Sequence, residues 1–296
     1  MNDLEKLKLQ LRECIDKNSD LEINSSGTTG MPKTFKLNIK DRFEKCKKII
    51  YPAGYKIGFF YDLNTWAGVS VLIHCIKNNI EAVHLNYNSP ELINVDHVCL
   101  SPTQCLYLAQ TKTAYEKCRQ VTLGGEYARQ KHLDSAKNIF PNAKITHVYA
   151  STETGDICSV SDGLEGVPAR KFQEYKVLDD KIIINGIELK DVWSLRDERY
   201  YFLKRSDMVV KIGSEKVNLE EIESAVLDSI REVTDCVLYT KKSPFGNMIL
   251  CFEYTGIDSN DRLKKYFSRF VKGLRPMHYS LVENLLTKNG KKQRRR

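Results

Sequence analysis

The chain has 296 residues, 42% hydrophobic and 28% charged, the balance of an ordinary globular protein long enough for one large domain or two smaller ones. Its 46 basic and 38 acidic residues leave a net charge of +8, which suits an acidic partner or a solvated surface but lacks the interleaved aromatics of a nucleic-acid binder. Nine cysteines with no C-x-x-C pair exclude a zinc-finger or disulfide framework and are expected as buried thiols of a cytoplasmic protein; the charged first 17 residues hold no apolar signal core, and the longest apolar run, 66–76, is too short to cross a bilayer.

Leu4, Leu7, Leu11 and Ile15 recur at helical spacing and predict an amphipathic helix over 3–17. Short strands are expected at 21–23 and 34–37, on either side of a Ser/Gly/Thr loop. Strands at 57–61, 82–85, 97–100, 120–123 and 144–149 alternate with helices at 65–78, from Ser101-Pro102-Thr103 onward, and at 127–139. That alternation predicts an α/β domain with a largely parallel sheet. After Gly155 the pattern changes to short strands at 174–178, 181–184 and 200–203, punctuated by Asp179-Asp180 and Asn185-Gly186, as in an antiparallel meander. From Arg205 on, strands at 209–212 and 216–217 precede a helix over 219–230, with Asn218 and Glu221 spaced as a capping box. Strands at 235–239 and 248–254 and a helix at 259–271 complete a β-β-α-β-β-α unit. The expected architecture is thus a large α/β domain over 1–205, its mostly parallel sheet joined by short antiparallel strands, and a small α+β domain over 206–296.

The sharpest local signal is SSGTTGMPK at 25–33. Gly27 and Gly30 allow close backbone approach; the hydroxyls of Ser25, Ser26, Thr28 and Thr29, with successive N–H groups, can cradle a polyphosphate, and Lys33 adds a cation. It is not a Walker A loop, since Pro32 stands five places after Gly27. A second signal is VTLGGEYARQKHLDSAKNIFPNAKITHVYASTETG at 121–155, and a third is KRSDMVVKIGSEKVNLEEIE at 204–223. The last is TKNGKKQR at 287–294, which taken alone is a turn in a basic tail.

In this order the four stretches resemble the motifs of the AMP-forming adenylating superfamily, which includes acyl-CoA synthetases, the adenylation domains of peptide synthetases and luciferase-like enzymes. The resemblance runs from residue 21 to 294 with few gaps. It implies an enzyme that joins a carboxylic acid to AMP from ATP with Mg²⁺, in a fold whose C-terminal domain acts as a lid. The 25–33 loop would hold the β- and γ-phosphates. Gly124, Gly125 and Glu126 would line the adenine and Tyr149 would stack on it. Thr152 would touch the α-phosphate, Glu153 would ligate Mg²⁺, and Lys291 would be the catalytic lysine. Asp191 would bind the ribose hydroxyls, although Leu189-Lys190-Asp191 stands where the family has T-G-D. Arg205 would touch ribose or phosphate, with Lys204 in place of a family glycine. Asp207 would sit at the hinge, and the 211–213 turn would swing toward the site in a second half-reaction.

Two departures stand out: only 24 residues precede the phosphate loop, which reads as a trimmed form, and the segment between Pro168 and Asp191 is short. The acid pocket would then be more open, or completed by a partner or a second copy in a homo-oligomer. Two alignments place the acid differently. In one, Thr65 stands for a frequent family histidine and Trp66 walls the pocket. In the other, Asp62 reads the α-amino group of an amino acid; Asp62 as a plain helix cap is the bland alternative. The acceptor implied is the thiol of an acyl carrier protein or of coenzyme A, with an amino sugar also compatible; nucleic acid and membrane are not implied as partners. The rival reading is a non-catalytic nucleotide-binding or scaffold protein that keeps the fold.

Overall fold

The computed structural model describes residues 2–24, 34–87, 92, 94–151, 154–178, 181–184, 186–206, 209–212, 215–242, 248–270 and 275–285. These divide into two compact units, one ending at Glu165 and one beginning at Gly166.

The first unit opens with helix α1 (Asp3–Lys17), capped by the Asn2 side chain and ended by Asn18 in the left-handed region at φ 50°. Strands β1 (Asp20–Asn24) and β2 (Thr34–Asn38) pair antiparallel from Asp20↔Asn38 to Asn24↔Thr34, so the 25–33 segment joins them. Asn38 then caps a short helix, α2 (Ile39–Lys45), by accepting a hydrogen bond from the Asp41 N–H. The main sheet has the order β4-β3-β5-β6-β7-β8. Its strands are β3 (Lys56–Phe59), β4 (Glu81–His84), β5 (His97–Leu100), β6 (Gln120–Leu123), β7 (Lys144–Ser151) and β8 (Gly155–Val160). All neighbours are parallel except β7–β8.

Helices α3 (Trp66–Asn78), α4 (Pro102–Ala109) and α5 (Gln130–Ile139) connect these strands. Successive side chains point to opposite faces of a strand, and β5 divides accordingly. Val98 and Leu100 enter a core with Leu108, Leu123, Leu133 and Phe140, under α4 and α5. Cys99 enters the other, with Leu11, Ile39, Ile57, Phe59 and Leu72, under α1, α2 and α3. All four β5 residues are buried, as a central strand covered on both faces requires.

The second unit begins with an antiparallel sheet of order β10-β11-β12-β13-β9. It comprises β9 (Val167–Pro168), β10 (Lys176–Leu178), β11 (Lys181–Ile184), β12 (Ile187–Arg196) and β13 (Arg199–Arg205). Asp197 and Glu198 both have positive φ, 48° and 57°, so β12 and β13 meet in a two-residue turn of the twist-compatible type. There follow the hairpin β14 (Val209–Ile212) and β15 (Glu215–Asn218), helix α6 (Leu219–Ser229), strands β16 (Val233–Lys242) and β17 (Met248–Gly256), helix α7 (Asn260–Phe270), and β18 (His278–Leu281) parallel to β17. Val226, Leu238, Phe252, Tyr254, Leu263 and Phe267 form its core.

The expected β-β-α-β-β-α order is found with one further strand, β18. The contacts divide the chain earlier than the expected 205/206 boundary. The reason is visible at α6, whose first turn is tied to the end of β13: Asn218 Nδ2 donates to the Arg205 carbonyl at 2.8 Å, and Lys204 lies 3.3 Å from Glu221. All nine cysteines are free, and all but Cys46 and Cys158 are buried. Among the described residues no helix is long and apolar enough to cross a membrane.

Candidate nucleotide and acid site

In an open parallel sheet, ligands gather beyond the carboxyl ends of the strands where strand order reverses. Here the reversal lies between β3 and β5, since the chain runs from β3 outward to β4 and then returns to β5 on the other side. The residues just beyond those ends are Phe60 to Thr65 and Ser101, with 124–128 beyond β6 beside them.

Side chains fix this rim. The Tyr61 hydroxyl donates to the Leu100 carbonyl at 2.8 Å, and the Gly124 N–H donates to the same oxygen at 3.1 Å. Burial drives the Tyr61 phenol well above its ordinary range, so it stays a donor. A Cβ on Gly124 would stand 3.1 Å from that hydroxyl. Ser101 and Gln104 form a capping box on α4, and Gln104 Nε2 also donates to the Phe60 carbonyl at 3.0 Å. Glu126 accepts from the Thr103 N–H at 3.1 Å, a charge placed favourably at the start of α4. Thus Glu126, expected beside adenine, also anchors a helix.

Gly125 is exposed with φ +81°, a backbone that few other residues adopt. In the β6–β7 register Leu123 faces His147, so Tyr149 stands as far beyond that pair as Gly125 does. A half-buried aromatic ring beside glycine backbone is a surface on which a purine can stack. Gly124, Gly125 and Tyr149, expected to act on one ligand, are therefore neighbours.

The candidate acid residues lie between β3 and α3. Thr65 is the N-cap of α3: its hydroxyl donates to the Asp62 carbonyl at 2.7 Å and accepts from the Gly68 N–H at 3.4 Å. It is only 6% exposed, and its polar capacity is committed to the helix. Asp62 Oδ1 accepts from the Asn64 N–H at 2.8 Å, making an Asx turn. Asp62 is therefore not the cap itself; it shapes the turn that Thr65 caps. Trp66 begins the helix, half-buried, with the Arg42 guanidinium 5.2 Å above its ring. Sequence reasoning missed Arg42, because nothing local to α2 signals a neighbour on α3.

In the second unit, Asp191 on β12 and Arg205 on β13 are cross-strand partners, with Oδ1 and Nη1 3.6 Å apart. The Arg205 N–H donates to Glu220 at 3.0 Å, and the Ser206 N–H donates to the Lys190 carbonyl at 2.7 Å. A carboxylate and a guanidinium side by side can receive vicinal hydroxyls.

Ser25, Ser26, Gly27, Thr28, Thr29, Gly30, Lys33, Thr152, Glu153, Asp207 and Lys291 lie outside the described residues. Among the described residues no group of three His, Cys, Asp or Glu side chains could hold a metal. Mg²⁺ held through one carboxylate, substrate phosphates and water needs no such group.

No protein-family model and no curated protein matches the sequence. Solved structures do match it. A variant of MenE from E. coli with bound OSB-AMS has a TM-score of 0.64 at 17% identity over 88% of this chain. The anthranilate CoA ligase AuaEII in complex with anthranoyl-AMP gives 0.61 at 15% over 92%. The o-succinylbenzoate CoA synthetase of Bacillus subtilis, in complex with ATP and magnesium ion, gives 0.60 at 17% over 89%. The chain spans 65%, 65% and 66% of those three proteins. Its fold is that of the AMP-forming adenylating enzymes.

Proposed function

We propose that the protein is an AMP-forming acid ligase, binding ATP with Mg²⁺ and joining a carboxylic acid to the adenylyl group. The observation that carries this reading is the Asp191–Arg205 pair. Asp191, expected at the ribose, and Arg205, expected at the ribose or a phosphate, are direct cross-strand partners. The fold and the adjacency of Gly124, Gly125 and Tyr149 support the same reading.

In the proposed reaction a carboxylate oxygen of the acid attacks the α-phosphorus and the bond to pyrophosphate breaks. ATP brings the adenylyl group, and Glu153 would hold Mg²⁺, which would neutralise phosphate charge. The 25–33 loop cradles the β- and γ-phosphates with Lys33 beside them. Tyr149 offers its ring to adenine, and Asp191 and Arg205 orient the ribose. Thr152 donates to the α-phosphate, and the Lys291 ammonium faces the charge that grows between the reacting oxygens. Positioning and charge neutralisation supply the acceleration. The thiol of an acyl carrier protein or coenzyme A then attacks the acyl carbon of the adenylate, so that a thioester forms and AMP leaves, with the 206–296 segment acting as the lid. A cytoplasmic location belongs to this proposal, in keeping with thiols that form no disulfide.

The test is acid-dependent pyrophosphate release across amino, aryl, hydroxy and short fatty acids. Release with one class establishes the chemistry. Tight ATP binding with no release for any class would overturn it in favour of a non-catalytic nucleotide-binding protein.

A further inference from the structure

Arg42, on α2, is half-buried and makes neither a hydrogen bond nor an ion pair within 4 Å through its guanidinium among the described residues. Its guanidinium carbon sits 5.2 Å from the centre of the Trp66 ring. The Trp66 Nε1 is itself buried without an acceptor among the described residues. A planar fork with five donors, held over an aromatic face that carries a sixth, has no acceptor among the described residues. Buried donors are normally satisfied, and one left without a partner points to a ligand or water.

The floor of this place is Gly155, the first residue of β8. A Cβ there would lie 2.6 Å from Arg42 Nη1, so the missing side chain is what lets the guanidinium settle. Gly155 follows Glu153 by two residues, and Trp66 follows the turn beyond β3, so the fork stands next to the candidate acid site. Among the described residues one countercharge is near. Asp156 reaches solvent, yet desolvation by the surrounding protein raises its pKa, and Arg42 opposes that rise. Arg42 attracts a carboxylate while Asp156 partly offsets that attraction, and each further negative charge of a larger anion meets more repulsion.

We propose that Arg42 and Trp66 form the subsite that reads a carboxylate of the acid substrate, Arg42 as a planar fork and Trp66 as wall and third donor. This deepens the acid-ligase reading and rests on it. The carboxylate has two sources, the one that is activated or a second one on a diacid.

The test compares wild type, Arg42→Gln, Arg42→Lys and Trp66→Phe on matched acids, benzoate with phthalate and hexanoate with adipate. If the second carboxylate is read, wild type favours the diacids, and Arg42→Gln raises KM for them alone by about tenfold or more. If the activated carboxylate is read, Arg42→Gln raises KM for mono- and diacids alike. Arg42→Lys, which keeps charge without the fork, falls between wild type and Arg42→Gln in either case. Unchanged KM values in both Arg42 variants overturn the proposal. A second measurement needs no catalysis: titration of each acid without nucleotide, following the indole emission that Trp66→Phe lacks. Acid-dependent emission that Arg42→Gln abolishes, with no pyrophosphate release, would retain the subsite and sink the ligase reading. Pyrophosphate release from a wild type whose Trp66 emission ignores every acid would do the reverse.

Discussion

Asp191 and Arg205 meet across β12 and β13 because β13 carries one extra residue. Asp191 faces Arg205 and Val192 faces Lys204, but Trp193 faces Phe202. Leu203 is left over, and it is 41% exposed. A bulge of this kind shifts every side chain beyond it to the opposite face. Without it the partner of Asp191 would be Lys204.

The pair's function and its contribution to stability are separable. The Arg205 and Asp191 side chains are 34% and 17% exposed, and ion pairs with that access to solvent contribute roughly 0–1 kcal/mol. Asp191→Asn and Arg205→Ala should therefore shift the melting midpoint little while weakening ATP binding by about tenfold, a loss of one charged hydrogen bond. Thermal melts and ATP titration of both variants check this. Equal nucleotide affinity in Asp191→Asn would remove it from the ribose site.

Lys291→Ala should leave nucleotide binding in place and lower acid-dependent pyrophosphate release by about 10²- to 10³-fold, the usual effect of losing one group aimed at transition-state charge. Single-turnover release at saturating ATP and acid reads the chemical step. Full activity in the variant would exclude the residue from the mechanism.

Gly68 lies in the first turn of α3, where a Cβ would come 2.4 Å from the Asp62 carbonyl oxygen. That neighbour is backbone and cannot swing aside. Gly68→Ala should cost about 1–3 kcal/mol by overpacking and should displace the turn that carries Asp62, Thr65 and Trp66. Denaturant melts measure the first effect, and a raised KM for the acid with unchanged KM for ATP measures the second. A stable variant with wild-type KM for acid would show that this turn tolerates displacement.

The elements that read most clearly from the sequence are those whose signals are local. The span 3–17 is the observed α1, since its apolar spacing is bounded by Asn2 and Asn18. The strands of the parallel sheet are short apolar runs between polar ones and were equally plain. The helix α2 has only seven residues, fewer than two full turns of periodicity, and gives no such signal. The β12 strand hides its length for another reason. Its burial pattern breaks at Val192 and Trp193, both buried, where the register shifts, and its turn is Asp197-Glu198 rather than a glycine pair. Among the candidate site residues, the adjacency of Gly124, Gly125 and Tyr149 could be read from the sequence because one continuous stretch carries them. The Arg42–Trp66–Gly155 arrangement was not, because it is assembled from three elements far apart in sequence.

His97 sets an acid limit on stability. It is buried on β5, with Nε2 2.8 Å from the Thr122 hydroxyl and 3.4 Å from the Cys99 sulfur. Desolvation, assisted by the nearby charge of His74, lowers its pKa to about 3, against about 6.5 in an unfolded chain. The folded protein therefore keeps the ring neutral where the unfolded chain protonates it. Above about pH 6.5 both states are neutral and the full stability is present. As pH falls from there toward about 3, the unfolded state takes up a proton that the folded state refuses, and stability drops by up to about 1.4 kcal/mol per pH unit. Between pH 6.5 and 5, before most carboxylates titrate, the loss should approach 2 kcal/mol, by order of magnitude. His97→Gln should be less stable than wild type at pH 7.5 through altered packing, yet its stability should decline less steeply across that window. Urea melts at pH 7.5, 6.5, 5.8 and 5.0 measure the slopes. Parallel profiles for the two proteins would mean that another group, such as His74, whose pKa burial also lowers, sets the acid limb.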